Sequence, residues 1–514
     1  MLSILKSLYL QGLNGLDVEV QVDVSCGIPK FIIVGLPDES LKESKERVIT
    51  AIRNSGFNLP SKKIIINLSP ANVRKGGAVF DLSIALGILF SSELIDANLL
   101  AKNRDTVFVG ELSLDGSLKH ISGVLPICIE AKKLGKKRII VPKSNLEETA
   151  FIDGMEILGA DSLKDVVSFL YGEIELLKPD KRQLKMEEVA YDIDFSEISG
   201  QEFAKRAIEV AVSGGHNILL IGEPGSGKTM LAQRITTIMP KPTLEEAMEI
   251  TMIYSLAGKL SNKNAVMLNR PFRFPNHGAT LANMVGGGVN IKPGEISLAN
   301  HGVLFLDEFS EFKREIIEAL REPMESGDIS INRLNMNVKF PAKFMLVAAT
   351  NPCPCGFFGS DNRKCKCTDN QINRYMRRIS GPIMDRIDIQ VGVNSIDCNK
   401  LYGSKSESSE KIKDRVEKAR KIQNLRYKNY PIKLNSKLNV EMINRFCSIN
   451  NESRKLMDIA FKKLNLTIRG YYKILRIART IADVEGKEDI QTEHIAEAIQ
   501  YRSLDRKYDF KSKQ

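Results

Sequence analysis

An α/β architecture of more than one domain is predicted, and three observations predict it. The first is length, since 514 residues exceed what one hydrophobic core accommodates. The second is the alternation of short apolar strand-like runs with helical periodicity through residues 1–400. The third is the stretch Gly222-Glu223-Pro224-Gly225-Ser226-Gly227-Lys228-Thr229, which fits G-x-x-x-x-G-K-[ST] and lies between an apolar run at 218–221 and a helix-like 230–233. Glycines there let successive backbone N–H groups turn inward toward phosphate oxygens, backed by the positive end of the following helix. Lys228 would reach the β- and γ-phosphates and Thr229 would ligate Mg²⁺, so ATP and Mg²⁺ are the expected cofactors.

Composition narrows the class. Hydrophobic content of 43% and charged content of 27% exclude a disordered or fibrous chain. No apolar run approaches a membrane span, and residues 1–10 carry Lys6 and lead into Asp17, Glu19 and Asp23 without a cleavage pattern. They predict a first strand, not a signal peptide, and a soluble cytoplasmic protein. Residues 401–514 hold 26 Lys and Arg against 15 Asp and Glu, so the whole surplus of +11 lies there. Nucleic acid is the leading anionic partner; a solvated helical surface is the other reading. Of eight cysteines, Cys353, Cys355, Cys365 and Cys367 crowd into fifteen residues. Two close pairs across a short loop suit a tetrahedral thiolate zinc site in a reducing compartment, with free thiols or a redox pair as the alternative. Lys364 and Lys366 would favour the thiolates.

Through residues 1–170, Val18, Val20, Val22 and Val24 repeat with period two and predict a strand, while Leu41, Val48 and Ile52 give a helix over 39–54 one apolar side. A strand over 63–67 follows, then a helix over 81–90 and a hairpin from 107–112 through Asp115-Gly116 to Leu118. A helix over 127–133 and a strand over 138–141 complete the unit. From GELSLDGSLKHISGVLPICIEAKKLGKKRIIVPKSN, this part resembles the Lon-protease-like α+β fold, in the variant found in RadA and in Mg-chelatase-like proteins. The resemblance puts Val79 and Leu125 at the places of the Lon serine and lysine, which implies no peptidase chemistry and a scaffold or DNA-contact role. Ser69, Lys75 and Ser83 lie nearby in sequence. Residues 171–193, rich in Lys and Glu, read as a linker.

Residues 194–400 read as the ATPase core. Asp194 to Gln201 resembles the segment before the first helix of AAA+ ATPases, where Ile198 would lie against adenine; a plain helix cap is the alternative. Four apolar residues before Asp307 and Glu308 describe a buried parallel strand delivering two carboxylates to its C-terminal edge. Asp307 would hold the Mg²⁺ shell and Glu308 would polarise the attacking water. A third strand over 344–351 ends in Asn351, which resembles sensor 1 and would help position that water. GPIMDRID over 381–388 resembles the arginine-finger segment of the MCM and Mg-chelatase branch, implying that Arg386 acts on a neighbouring subunit's nucleotide; Arg378 competes for the role. LTIRGY over 466–471 resembles sensor 2, with Arg469 as its phosphate contact.

Between the two nucleotide motifs, RPFRFPNHGATLANMVGGGVNIKPGEISLANHGVLFLDE is similar to the signature of the ComM/YifB family, in the Mg-chelatase-like AAA+ class with an insert in its second helix. The similarity takes in the Lon-like domain, NPCPCG and a lid containing RGYYKILRIARTIAD, with one departure: the family reads His-His where this chain has Asn276-His277. It implies a homohexameric ring that moves on single-stranded or branched DNA and promotes branch migration during natural transformation. A metal-insertion motor of the Mg-chelatase kind is the alternative, and an ATP-dependent protease the third. Gly286 to Gly288 with Lys292 predict a mobile pore loop, and 329–338 a hairpin carrying Arg333. Lys292, Arg333 and Lys339 are the candidate DNA-phosphate contacts, and the segment from Cys353 to Arg378 is also basic. Residues 401–514 predict a helical lid, with helices over 416–427, 440–446, 452–464, 471–484 and 494–502, and with Arg476 and Arg479 facing solvent or the pore.

Overall fold

The structure, a computed structural model, describes residues 2–502 apart from 74, 181–190, 261–265, 289–290, 334–335, 361–362, 380, 395–405 and 465. The N-terminal sheet runs in the order Lys30–Val34, Lys63–Ser69, Asn14–Ser25, Leu2–Gln11, Thr106–Phe108, Arg138–Pro142, Glu156–Ala160. Its mixed character comes from Asn14–Ser25, which runs antiparallel to both of its neighbours, Leu2–Gln11 and Lys63–Ser69, while the other pairings are parallel. The four period-two valines are all buried there, in one core with the wholly buried helix Asp81–Ser91. Two expectations are corrected. The run at 107–112 divides, because Thr106–Phe108 joins the large sheet in parallel and only Glu111–Leu112 pairs with Leu118–Lys119. The supposed linker begins as part of this unit, since Leu176 is buried in its core and the Gly159 N–H donates to the Leu177 carbonyl at 2.8 Å.

The second sheet is parallel throughout, ordered Phe272–Arg273, Val303–Leu306, Met345–Thr350, Ile218–Gly222, Ile389–Val393. Buried on both faces, its central strands read as continuous apolar runs. Their C-terminal ends all open on one edge, which is where the phosphate loop, Asp307 and Asn351 emerge. The insert folds back as Gly286–Gly287 paired with Lys292–Pro293, and Asp328–Arg333 pairs with Met336–Pro341 as a longer hairpin.

Helices Ser409–Arg426, Val440–Phe446, Asn451–Lys463, Ile468–Val484 and Thr492–Gln500 form the C-terminal region, whose apolar residues merge with the sheet's core. The entry to this region is pinned: the Phe195 N–H donates to Ser409 Oγ at 2.8 Å, and the Ser409 N–H donates to Asp194. Arg476 and Arg479 face inward, contrary to the sequence reading. Arg479 pairs with buried Asp483 and donates to the carbonyls of Lys487 and Glu488, and Arg476 donates to the Leu438 carbonyl. Helix periodicity left their side of the helix open, and the carbonyl ends of neighbouring turns claim both guanidiniums.

The N-terminal unit grips the ATPase unit at one helix, Leu244–Leu256. The Gly123 N–H donates to the Ser255 carbonyl at 3.1 Å, Ser255 Oγ donates to Glu148 Oε2 at 2.5 Å, and Met248 and Met252 pack on the N-terminal core. The turn at Gly12 lies so close to the long hairpin that a Cβ there would stand 2.6 Å from Val338 Cγ1. Among the described residues no helix is long and apolar enough to cross a membrane.

Candidate nucleotide site

Strand Ile218–Gly222 ends where a side chain has no room: a Cβ on Gly222 would stand 2.2 Å from the Val393 carbonyl oxygen of the adjacent strand. The loop then turns through Gly225 and Gly227, at φ 78° and 89°, a conformation that favours glycine, and Lys228 opens helix Lys228–Ile238. Lys228 Nζ donates to the carbonyls of Gly222 and Glu223, both at 2.8 Å, and to Asn351 Oδ1 at 3.3 Å. Burial pushes its ammonium below the ordinary value, against the pull of Asp307, Glu223 and Glu308. Among the described residues it has no carboxylate at ion-pair distance, and the buried Ser226 Oγ in the same loop lacks a hydrogen-bond partner. A buried cation with only neutral partners beside an orphaned hydroxyl suits an incoming phosphate.

Thr229 Oγ1 donates to Asp307 Oδ2 at 2.7 Å, so the hydroxyl and the carboxylate read as hard oxygen ligands already share one point. Glu308 follows at φ 51°, a left-handed position rarely held by this residue type, with its N–H on Asp307 Oδ1 and its side chain exposed. His277 Nδ1 lies 3.4 Å from Glu308 Oε2. The sequence flagged His277 only beside the departure at Asn276; its place next to Glu308 has no local sequence signal, because 30 residues intervene. Lys228, Thr229, Asp307, Glu308 and Asn351 thus converge.

The other candidates sit apart. Ile198 is buried in the core, its carbonyl accepting from Ser406 Oγ at 2.5 Å. Arg386 donates to the Pro382 carbonyl at 2.6 Å and pairs with Glu325, and Arg378 pairs with Glu311 at 2.7 Å; neither touches the phosphate loop of its own chain. Arg469 is exposed on the first turn of Ile468–Val484, without an ion pair among the described residues. Lys292 and Lys339 are exposed on the two hairpins; Arg333 is at the tip of the longer one, and its side chain lies outside the described residues. In the N-terminal unit Leu125 is buried, Ser83 Oγ donates to the Phe80 carbonyl, and Lys75 Nζ donates to the carbonyls of Pro70 and Val73. No serine–lysine pair forms there among the described residues.

The four clustered cysteines have their sulfurs within 4.8 Å of one another, with Cys353–Cys355 at 3.3 Å, Cys355–Cys365 at 3.5 Å and Cys353–Cys365 at 3.7 Å. A zinc–thiolate tetrahedron with Zn–S of about 2.3 Å has edges of about 3.8 Å, so the donor set fits this metal. Burial pushes the Cys355 thiol up, but the backbone N–H groups of Phe357 and Lys366 outweigh it and hold it at about 6. Lys364 and Lys366 are exposed. Of the single cysteines, Cys128 and Cys447 are buried and Cys26 is exposed, while Cys398 lies outside the described residues.

Comparison with known proteins matches this architecture. Residues 194–401 match the model for magnesium chelatase, subunit ChlI; residues 20–145 match subunit ChlI of Mg-chelatase, and 406–502 its C-terminal part. The chain is 41% identical over 510 residues to competence protein ComM of Haemophilus influenzae and 42% identical over 508 residues to YifB of Escherichia coli, covering 98% of each chain in both cases. A 28% match to the magnesium-chelatase 38 kDa subunit of Rhodobacter capsulatus covers 31% of this chain and half of that one. With a ComM protein and a YifB protein matched over 98% of each chain, and the Gly222–Thr229 loop, Asp307, Glu308 and Asn351 on one sheet edge, the chain belongs to the ComM/YifB family of Mg-chelatase-like AAA+ ATPases.

Proposed function

We propose that the chain works as a homohexameric, Mg²⁺-dependent ATPase that drives branch migration of DNA, serving strand integration in natural transformation. The observation that carries the reading is that Lys228, Thr229, Asp307, Glu308 and Asn351 meet within one chain, while Arg386 is half-buried apart from them, paired with Glu325. An arginine so placed serves a neighbour's nucleotide, which makes hydrolysis depend on ring assembly. Lys228 and the loop N–H groups would bind the phosphates, Thr229 and Asp307 would hold the metal, and Asn351 and Glu308 would orient and polarise water. A Mg²⁺ held by Thr229 and Asp307 would supply positive charge against the phosphates. Arg469 would contact phosphate from the lid, and Ile198 would flank adenine.

Support for DNA as partner comes from the competence-protein relative and from Lys292, Lys339 and Arg333 on two hairpins of the ATPase unit. The N-terminal unit, read as Lon-like over residues 1–170, would be a scaffold without peptidase chemistry. The cysteine cluster would hold zinc, supported by its sulfur spacing. The test is migration of synthetic Holliday-type junctions by purified protein with ATP. Movement that is lost in Glu308→Gln supports the motor; junctions left unmoved by the wild-type hexamer overturn it.

A further inference from the structure

The loop that carries the cysteines touches the phosphate site at two points. It begins at Asn351, whose Oδ1 accepts from Lys228 Nζ at 3.3 Å. Two residues on, buried Cys353 starts a turn closed by the Gly356 N–H donating to the Cys353 carbonyl at 2.9 Å. Gly356 stands at φ 85° and presses against Pro224, the third residue of the phosphate loop; a Cβ there would lie 2.6 Å from Pro224 Cδ and 2.7 Å from Cγ. Cys353 and Cys355, the two cysteines of this turn, are tied through Cys365 and Cys367 into one sulfur cluster. One loop therefore braces the phosphate loop at Pro224 and the sensor asparagine at Lys228.

We propose that a thiophilic divalent ion in this cluster controls nucleotide affinity, a regulatory role that rests on the zinc reading above. With four thiolates on one ion the turn is fixed, and Gly356 and Asn351 keep the phosphate loop in register. Without the ion, sulfurs 3.3–3.7 Å apart lose their common partner and the turn relaxes away from Pro224. Backbone N–H groups also reach these sulfurs, that of Cys367 donating to Cys365 Sγ, but only the ion joins all four, so in this proposal metal loss and phosphate-loop loosening go together.

The test uses the full chain purified anaerobically, with zinc read by elemental mass spectrometry and affinity read with a fluorescent ADP analogue. Stoichiometric zinc is expected, and its removal by a strong chelator should weaken nucleotide binding by about fivefold or more, reversed on adding Zn²⁺ back. Gly356→Ala should retain zinc and still weaken binding, a result that a metal acting only as a distant structural staple would not give. Zinc lost with affinity unchanged overturns the coupling while leaving the metal reading intact. Absence of zinc from the anaerobic protein overturns both, and a zinc-replete Gly356→Ala that binds like the parent overturns the contact through Pro224.

Discussion

Glu308 occupies a left-handed backbone position that its side chain type seldom adopts, with its carboxylate 3.4 Å from His277 Nδ1. Glu308→Gln should leave nucleotide binding near the parent level while turnover falls about 10²-fold or more, as phosphate release and fluorescent-nucleotide titration would read. A second residue predicts pH dependence. Burial lifts the Asp81 carboxyl from its ordinary 3.8 to about 6 although Arg47 lies at 3.0 Å. A carboxyl raised in the folded state stabilises while protonated and loses that contribution as pH climbs through about 6. Denaturant midpoints of the N-terminal unit should therefore fall between pH 4 and pH 7 by an amount that Asp81→Asn removes. Legibility differs sharply between residues. Lys228 and Asp307 were readable because spacing and an apolar strand precede each; Gly356 against Pro224 was not, since 132 positions separate them and no local pattern marks the contact.

Elements were read best where a cap and a period agree. Helix Glu39–Asn54 starts at Asp38, whose side chain accepts from the Leu41 N–H, and Val440–Phe446 starts at Asn439 in the same way. Both match their predicted limits. The run at 107–112 was misread because a short parallel strand buried on both faces has no alternation to separate it from the hairpin that follows. In the lid, Arg426 and Arg479 both bond Asp483, and Asn435 Nδ2 donates to it at 2.8 Å. Asp483→Ala leaves two largely buried guanidiniums without their anion and should cost about 3–5 kcal/mol, seen as early proteolysis of the lid helices. Asp483→Asn should cost less, since its oxygen still accepts.

At the scale of the whole molecule, the proposed division of the site between chains turns on Arg386, which in its own chain donates to the Pro382 carbonyl and pairs with Glu325. Lys228→Ala and Arg386→Ala should each be inactive alone. Mixing them should restore part of the ATPase signal, since some interfaces then join an intact loop to an intact arginine; no recovery at any ratio would place Arg386 outside catalysis. The helix Leu244–Leu256, clasped by Gly123 and Glu148, carries a further consequence. Because Gly12 also abuts the long hairpin, the N-terminal half is not an exchangeable cassette. A chimera cut at the boundary between the halves would sever a joint, so grafts between relatives should tolerate exchange only when that helix and hairpin travel with the half that holds them.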